Sequence, residues 1–185
     1  LAIITEGKLT VPFDISYPTI SVSDFEGEGT EKSPYLIKSI DQLVLLGDKV
    51  NDVKQSDYNS TDADGKKYNR AFTGKYFRLE NDIDMAGYRF TPIGQDWFHH
   101  FDGIFDGNNH TIKNINVSTG GAGYAALFGR AGESSVIKNL NAEDPVIRAS
   151  NYYAAAIAGW SDGIIDNCHV LNADVQNSER ATAGL

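Results

Sequence analysis

Ile112-Lys113-Asn114-Ile115, Ile137-Lys138-Asn139-Leu140 and Ile165-Asp166-Asn167-Cys168 are three versions of one pattern: apolar, charged, asparagine, apolar. The asparagines step along the chain by 25 and then by 28. A second pattern keeps pace: Ala126-Leu127-Phe128-Gly129, then Ala156-Ile157-Ala158-Gly159, then Gly184-Leu185, its starts stepping by 30 and then by 28. Repeats of this length predict a solenoid in which each unit covers its neighbour's apolar face. Ile112 and Ile115 cannot both face inward along a flat strand, because their spacing is odd. A corner between them solves this, and asparagine enters the left-handed region more cheaply than other non-glycine residues. Coils stacked about 4.8 Å apart are expected to set Asn114, Asn139 and Asn167 one above another, their amides bonded along the stack. Cys168 is expected in the place of Ile115 and Leu140, as a small buried hydrophobe. The fold expected is all-β, a right-handed parallel β-helix.

Outward from the repeat, strand-sized segments recur from Lys75 onward, at Tyr76–Leu79, Ile104–Phe105, Thr111–Val117, Val136–Asn141 and Ile164–Leu171. Glycine, asparagine or aspartate separates them. One helix is predicted, from Ile40 to Val50, with Ser39 as N-cap and Gln42 at capping-box spacing. Leu43, Leu46 and Val50 share a face, and Asp41 suits the N-terminal dipole. A solenoid leaves unpaired strand edges at its ends, so this helix is expected to cap the first coil. Residues 25–185 are read as cap plus solenoid. Residues 1–24, alternating around Leu9, Val11, Phe13 and Ile15, are read as an edge strand or the tail of an upstream module. The beginning at Leu1 predicts a leader that was removed or that lies upstream of this sequence, and the opening of another repeat at Gly184-Leu185 predicts further repeats of the same chain.

Composition narrows the function. The 185 residues carry 16 Lys and Arg against 25 Asp and Glu, a net charge of −9. That argues against nucleic acid and anionic membrane surfaces. One cysteine excludes an intrachain disulfide and a multi-cysteine zinc site. Fourteen Asn and 18 Gly point to many tight turns. No phosphate loop, nucleophile elbow or dinucleotide fingerprint is present.

Ala126-Leu127-Phe128-Gly129 and its echoes resemble the GLUG repeat, Gly-Leu-any-Gly, with alanine replacing the first glycine at 126 and 156 and isoleucine replacing leucine at 157. The upstream run is similar to the leader of GLUG-containing surface proteins of Bacteroides-type bacteria. It includes Ser33-Pro34-Tyr35-Leu36-Ile37, Gly74-Lys75-Tyr76-Phe77-Arg78-Leu79, Asp82-Ile83-Asp84-Met85, Thr91-Pro92-Ile93-Gly94 and Phe101-Asp102-Gly103-Ile104-Phe105-Asp106-Gly107-Asn108-Asn109-His110-Thr111-Ile112. This resemblance spans residues 24–185. It implies a β-helical, exported, often lipid-anchored surface protein, an adhesin. The same repeat occurs in metallopeptidases that cut immunoglobulin A, whose zinc chemistry sits in a separate domain. No His-Glu-x-x-His exists here, so that activity does not carry over.

The candidate ligand-binding residues are Trp97, His99 and His100, on a loop between Gly94 and Phe101. The indole suits the face of a sugar, and a variable loop on a rigid frame suits binding. Against this stands an exposed loop whose aromatics pack locally. Asp82, Asp84, Asp102 and Asp106 would suit glycoside hydrolysis if a pair converged, but aspartate before glycine is first a turn signal. His110 is expected as a turn residue. Asp62, Asp64 and Gly65 resemble part of a calcium loop that lacks glutamate at its twelfth position. Tyr152, Tyr153 and Trp160 could form an aromatic platform. No catalytic residue, cofactor or metal is assigned. The expected function is a non-catalytic adhesion or scaffold module contacting glycan or protein. The alternatives are a carbohydrate-active β-helix enzyme and, behind it, a substrate-positioning arm of a larger protease.

Overall fold

The computed structural model describes residues 3–5, 8–10, 25–52, 72–120, 123–150 and 153–178. Short strands separated by tight corners wind into a parallel β-solenoid of about three turns. Apart from it, β1 (Ile3–Thr5) pairs antiparallel with β2 (Lys8–Thr10). The first turn contains β4 (Tyr76–Leu79) and β5 (Ile83–Asp84); before it comes β3 (Tyr35–Ile37). The second holds β6 (Ile104–Asp106), β7 (Thr111–Lys113), β8 (Asn116–Thr119) and β9 (Phe128–Ala131). The third holds β10 (Val136–Lys138), β11 (Asn141–Glu143), β12 (Val146–Ala149) and β13 (Ala158–Ser161). β14 (Ile164–Asp166), β15 (His169–Leu171) and β16 (Asp174–Asn177) begin the last coil. Stacking generates four parallel sheets, ordered β14-β10-β6-β4-β3, β15-β11-β7-β5, β16-β12-β8 and β13-β9. The predicted edge strand through Val11, Phe13 and Ile15 and the acidic 57–65 loop lie outside the described residues.

The stacking of the asparagines differs from the expected one. Asn139 and Asn167 do stack: Asn167 Nδ2 donates to Asn139 Oδ1 at 2.8 Å, and Asn139 Nδ2 to Asp106 Oδ1 at 3.0 Å. Asn114 belongs to another corner, where its Nδ2 donates to Asp84 Oδ1 at 2.7 Å. The reason is that each coil turns twice through the left-handed region, once on either side of a short strand. The pairs are Asn109/Asn114, Asn139/Asp144 and Asn167/Asn172, with φ between 48° and 62°. One column therefore runs Asn109, Asn139, Asn167 and the other Asn114, Asp144, Asn172. The shorter step from Asn114 to Asn139 is one coil less one face. Ile137 accordingly pairs with Phe105 and Ile165, while Ile112 pairs with Ala142. Cys168 takes the place of Leu140, as expected, but Ile115 corresponds to Pro145, judged by the equivalent backbone bonds from Asn141, His169, Val146 and Asp174. The corner argument itself holds, for Ile112 and Ile115 are both fully buried on either side of Asn114.

The glycines of the second pattern also stack. Ile93 bridges Phe128, and Phe128 pairs with Ala158, so Gly94, Gly129 and Gly159 form one column. A Cβ on Gly129 would lie 2.4 Å from the Gly94 carbonyl oxygen, and one on Gly159 would lie 2.9 Å from that of Gly129. Only a residue without a side chain lets successive coils approach this closely.

The core runs along the axis. Phe77, Phe101, Phe105 and Phe128 form a chain of ring contacts with centroids 5.1–6.0 Å apart, replaced in the third coil by Ile137, Ala142 and Ile147. The helix α1 (Ile40–Asn51) closes the N-terminal side, with Leu43, Leu46 and Val50 fully buried. Ser39 caps it, its side chain accepting from Gln42 N. The Gln42 side chain reaches back to Lys38 N at 2.7 Å, one residue beyond the usual capping box.

Candidate functional site

The loop from Gly94 to Phe101 crosses between the first and second coils and is pinned at both ends and in its middle. Asn51, the last residue of α1, holds the start: its Oδ1 accepts from Gly94 N (3.1 Å) and Gln95 N (3.0 Å), and its Nδ2 donates to Pro92 O (2.9 Å). Asp96 folds the middle into a turn by accepting, at Oδ1, from Phe98 N (2.8 Å) and His99 N (3.0 Å). His99 Nδ1 lies 2.7 Å from the same oxygen. At the far end His100 Nδ1 lies 2.6 Å from Oδ2 of Asp102, a carboxylate that is 1% exposed. Gly132 leaves the space for this pair, since a Cβ there would lie 2.3 Å from Asp102 Oδ1.

The three predicted residues thus separate. His99 and His100 turn to different carboxylates and act as fasteners rather than a shared ligand pair. Among the described residues, no group of three or more His, Cys, Asp or Glu is placed to hold a metal ion. Trp97 is left at the tip, 59% exposed, beside Phe98 at 50%.

Beneath the tip sits Arg130, which sequence reasoning passed over. Its guanidinium carbon lies 3.8 Å from the Trp97 ring centroid, a cation–π contact. The same group donates to Trp97 O at 3.5 Å and to Asp162 Oδ2 at 3.1 Å. Asp162 in turn accepts from Trp160 Nε1 at 2.9 Å, and Trp160 occupies the Arg130 register position one coil on. Tyr153 packs on Trp160 at 5.3 Å and stacks on Tyr124 at 5.9 Å; Tyr152 lies outside the described residues. A strip of alternating aromatic and charged groups therefore crosses successive coils beside the loop. A signal for Arg130 exists in the repeat: an arginine follows the patterned Gly129, and Trp160 follows the equivalent Gly159.

The four aspartates that would have served catalysis are occupied separately. Asp82 accepts from Thr111 N and contacts His110. Asp84 accepts from Asn114 and Ala86 N. Asp102 Oδ1 accepts from Ser134 N at 3.3 Å, while its buried Oδ2 lies 2.6 Å from His100 Nδ1 without a hydrogen bond aligned between them. Asp106 accepts from Asn139 and Asn108 N. Hydrogen bonds from the Thr111 amide and His110 lower the Asp82 pKa, and those from Asn114 and Ala86 lower that of Asp84. Burial pushes Asp106 upward, but donation from Asn139, the Asn108 amide and Lys138 outweighs it and the net shift is down. A general acid needs the opposite shift.

No family model matches the chain. It is 32% identical over 143 residues to "Halomucin" of Haloquadratum walsbyi, a match covering 77% of this chain and 1% of that protein. It is 29% identical over 152 residues to the "Putative Gly-rich membrane protein" of Evansella cellulosilytica, covering 78% of this chain and 15% of the relative. The chain therefore spans a small part of each relative's length. In three dimensions it is similar to the crystal structure of a "putative immunoglobulin A1 protease" from Bacteroides ovatus. The TM-score is 0.54 at 21% identity, over 80% of this chain and 50% of that one. At that identity the likeness establishes the solenoid fold. Among the described residues no helix is long and apolar enough to cross a membrane.

Proposed function

We propose that this chain is a non-catalytic module of an extracellular or cell-surface protein, a rigid β-solenoid whose 95–100 loop contacts glycan or protein. The observation that carries this reading is the division of labour in the loop. Asp96, His99, His100 and the backbone are spent on holding it in place, while the two large aromatics at its tip face solvent. A preorganised aromatic tip loses little entropy on binding, and tryptophan is among the residues that dominate contact surfaces. The names of the two relatives, Halomucin and a Gly-rich membrane protein, support the location. The GLUG resemblance and the adhesin role belong to the same reading.

The rival enzyme reading needs a pair of carboxylates open to substrate, whereas Asp82, Asp84 and Asp106 are each hydrogen-bonded at their own turn or corner and Asp102 is buried beside His100. A glycan and protein array probed with wild type and with Trp97→Ala tests the proposal. The expected outcome is a loss of at least about tenfold in signal for the variant. Equal signal from both proteins removes the loop from the contact surface.

A further inference from the structure

A groove of about 400 Å³ lies beside the aromatic tip, between the Arg89–Asp96 segment and the end of β8. That volume is within the range of small-ligand sites. Its walls present Arg89, Gln95, Asp96, Ser118 and Thr119, with Phe90 and Pro92 buried behind them. We infer that this groove is a subsite for one or two units of a neutral glycan; this rests on the reading of the chain as a contact module.

The chemistry of the walls selects the ligand class. Sugar hydroxyls both donate and accept, and neighbouring hydroxyls match planar groups that present two donors or two acceptors side by side. Arg89 supplies donors, Asp96 acceptors, and Gln95 and Ser118 both. Arg89 is already oriented, its Nη2 donating to Ser118 O at 3.1 Å across the groove. The three contacts that fold the loop converge on Asp96 Oδ1, which leaves the second carboxylate oxygen its accepting capacity. Gln95 is held on its backbone side, its O accepting from Tyr124 N at 3.4 Å. One basic and one acidic group make the groove electrically balanced. An acidic sugar would meet Asp96 inside a protein of net charge −9, and a cationic ligand would meet Arg89. A neutral polyhydroxylated chain meets neither obstacle.

Affinity electrophoresis of the full chain separates the possibilities, using gels that contain galactomannan, unsubstituted xylan, polygalacturonate or alginate. The expected result is retardation by at least one of the two neutral polymers and by neither acidic one. Arg89→Ala, an exposed position, and Gln95→Ala are expected to weaken that retardation at least tenfold with unchanged unfolding midpoints. Full retardation of both groove variants alongside its loss in Trp97→Ala overturns the groove while the contact module stands. Retardation by the acidic polymers alone overturns the neutral class. A blank in every gel removes the groove as a glycan site and leaves protein as the partner of the loop.

Discussion

Phe77 and Ile165 stand at opposite ends of one inward-facing column and are buried very differently. At the helix-capped end, Leu43, Leu46 and Val50 are 0% exposed and the neighbouring Phe77 is 1% exposed. At the other end, Ile165 is 38% exposed, although its register partner Ile137 is fully buried. Val170, Val175 and Cys168 pack against the core from one side only. Among the described residues nothing covers this last coil. The contrast shows that an inward residue in a stacked fold owes its burial to two neighbours. A coil with one neighbour carries the right sequence and half the stabilisation.

The sharpest way to test that contrast is to shorten one inward side chain at each end. Leu46→Ala leaves a void between helix and first coil, and a loss of about 2–5 kcal/mol is expected. Ile165→Ala removes atoms already partly in water, and a loss of about 1 kcal/mol is expected. Urea unfolding of both variants measures the difference. Equal losses would mean that something in the chain covers the last coil in solution.

Stacked folds announce their period in sequence and conceal their phase. The solenoid, the capping helix at Ile40 and the corners at asparagine were all legible, because each rests on local chemistry: odd spacing of Ile112 and Ile115, the Ser39 cap, the left-handed tolerance of asparagine. Which coil lies on which was only partly legible. Asparagine serves at both kinds of corner, so Ile112-Lys113-Asn114 matches Ile137-Lys138-Asn139 in sequence while occupying a different face. The glycine pattern was the better guide to register, since Phe128 and Ala158, two places after its starts at Ala126 and Ala156, are true partners in neighbouring coils. The loop was legible as a candidate site but its wiring was not. Nothing local says that His100 will turn to a buried Asp102, or that Arg130, in the next coil, will lie under Trp97.

A smaller effect distinguishes inner from outer coils at the glycine column. Gly129 faces the Gly94 carbonyl at 2.4 Å from a would-be Cβ and also meets Pro92 and Tyr124 at 2.9 Å. Its nearest obstacle is a backbone atom that cannot swing away, so Gly129→Ala is expected to cost about 2–3 kcal/mol. For Gly159→Ala the closest approach is 2.9 Å, to the Gly129 carbonyl. This longer approach needs a smaller adjustment between coils, and a cost of about 1 kcal/mol is expected. Thermal unfolding of the pair reads the ratio, and a Gly159 variant as damaged as the Gly129 one would show that the outer coil is held as rigidly as the inner.

The asparagine column gives the same comparison in hydrogen bonds. The Asn139 side chain both donates to Asp106 and accepts from Asn167, whereas that of Asn167 donates to Asn139 with no further coil described beyond it. Asn139→Ala combines the loss of both bonds with a left-handed backbone at φ 52°, and about 2 kcal/mol is expected. Asn167→Ala meets the same left-handed backbone at φ 48° but loses one bond, and is expected to cost about 1 kcal/mol less than Asn139→Ala. Asn139→Gly keeps the backbone freedom without the amide and should recover part of the loss. No recovery would place the whole effect in the hydrogen bonds.

The gentlest probe is acid. Asp106, at the inner end of that column, and Asp174, on the last coil, both have pKa values lowered from the usual 3.8. Burial raises Asp106 but is outweighed by Asn139, the Asn108 amide and Lys138, while Asp174 is lowered chiefly by the Arg148 hydrogen bond. A carboxylate with a lowered folded-state pKa binds its proton more readily in the unfolded chain. Its stabilisation is therefore complete above about pH 4 and is lost as the pH falls through the folded value. Asp106 is mostly shielded, and its partners belong to the corner and the next coil. Asp174 is solvated and paired with one long side chain, so salt screens it. Comparing urea midpoints at pH 6 and pH 3, Asp106→Asn is expected to reduce the acid-induced drop, and to do so at low and high salt alike. Asp174→Asn is expected to reduce it less, and only at low salt. If the two variants flatten the pH dependence equally, the ladder at the inner corner contributes no more than a surface ion pair, and the distinction between the two ends does not extend to their charges.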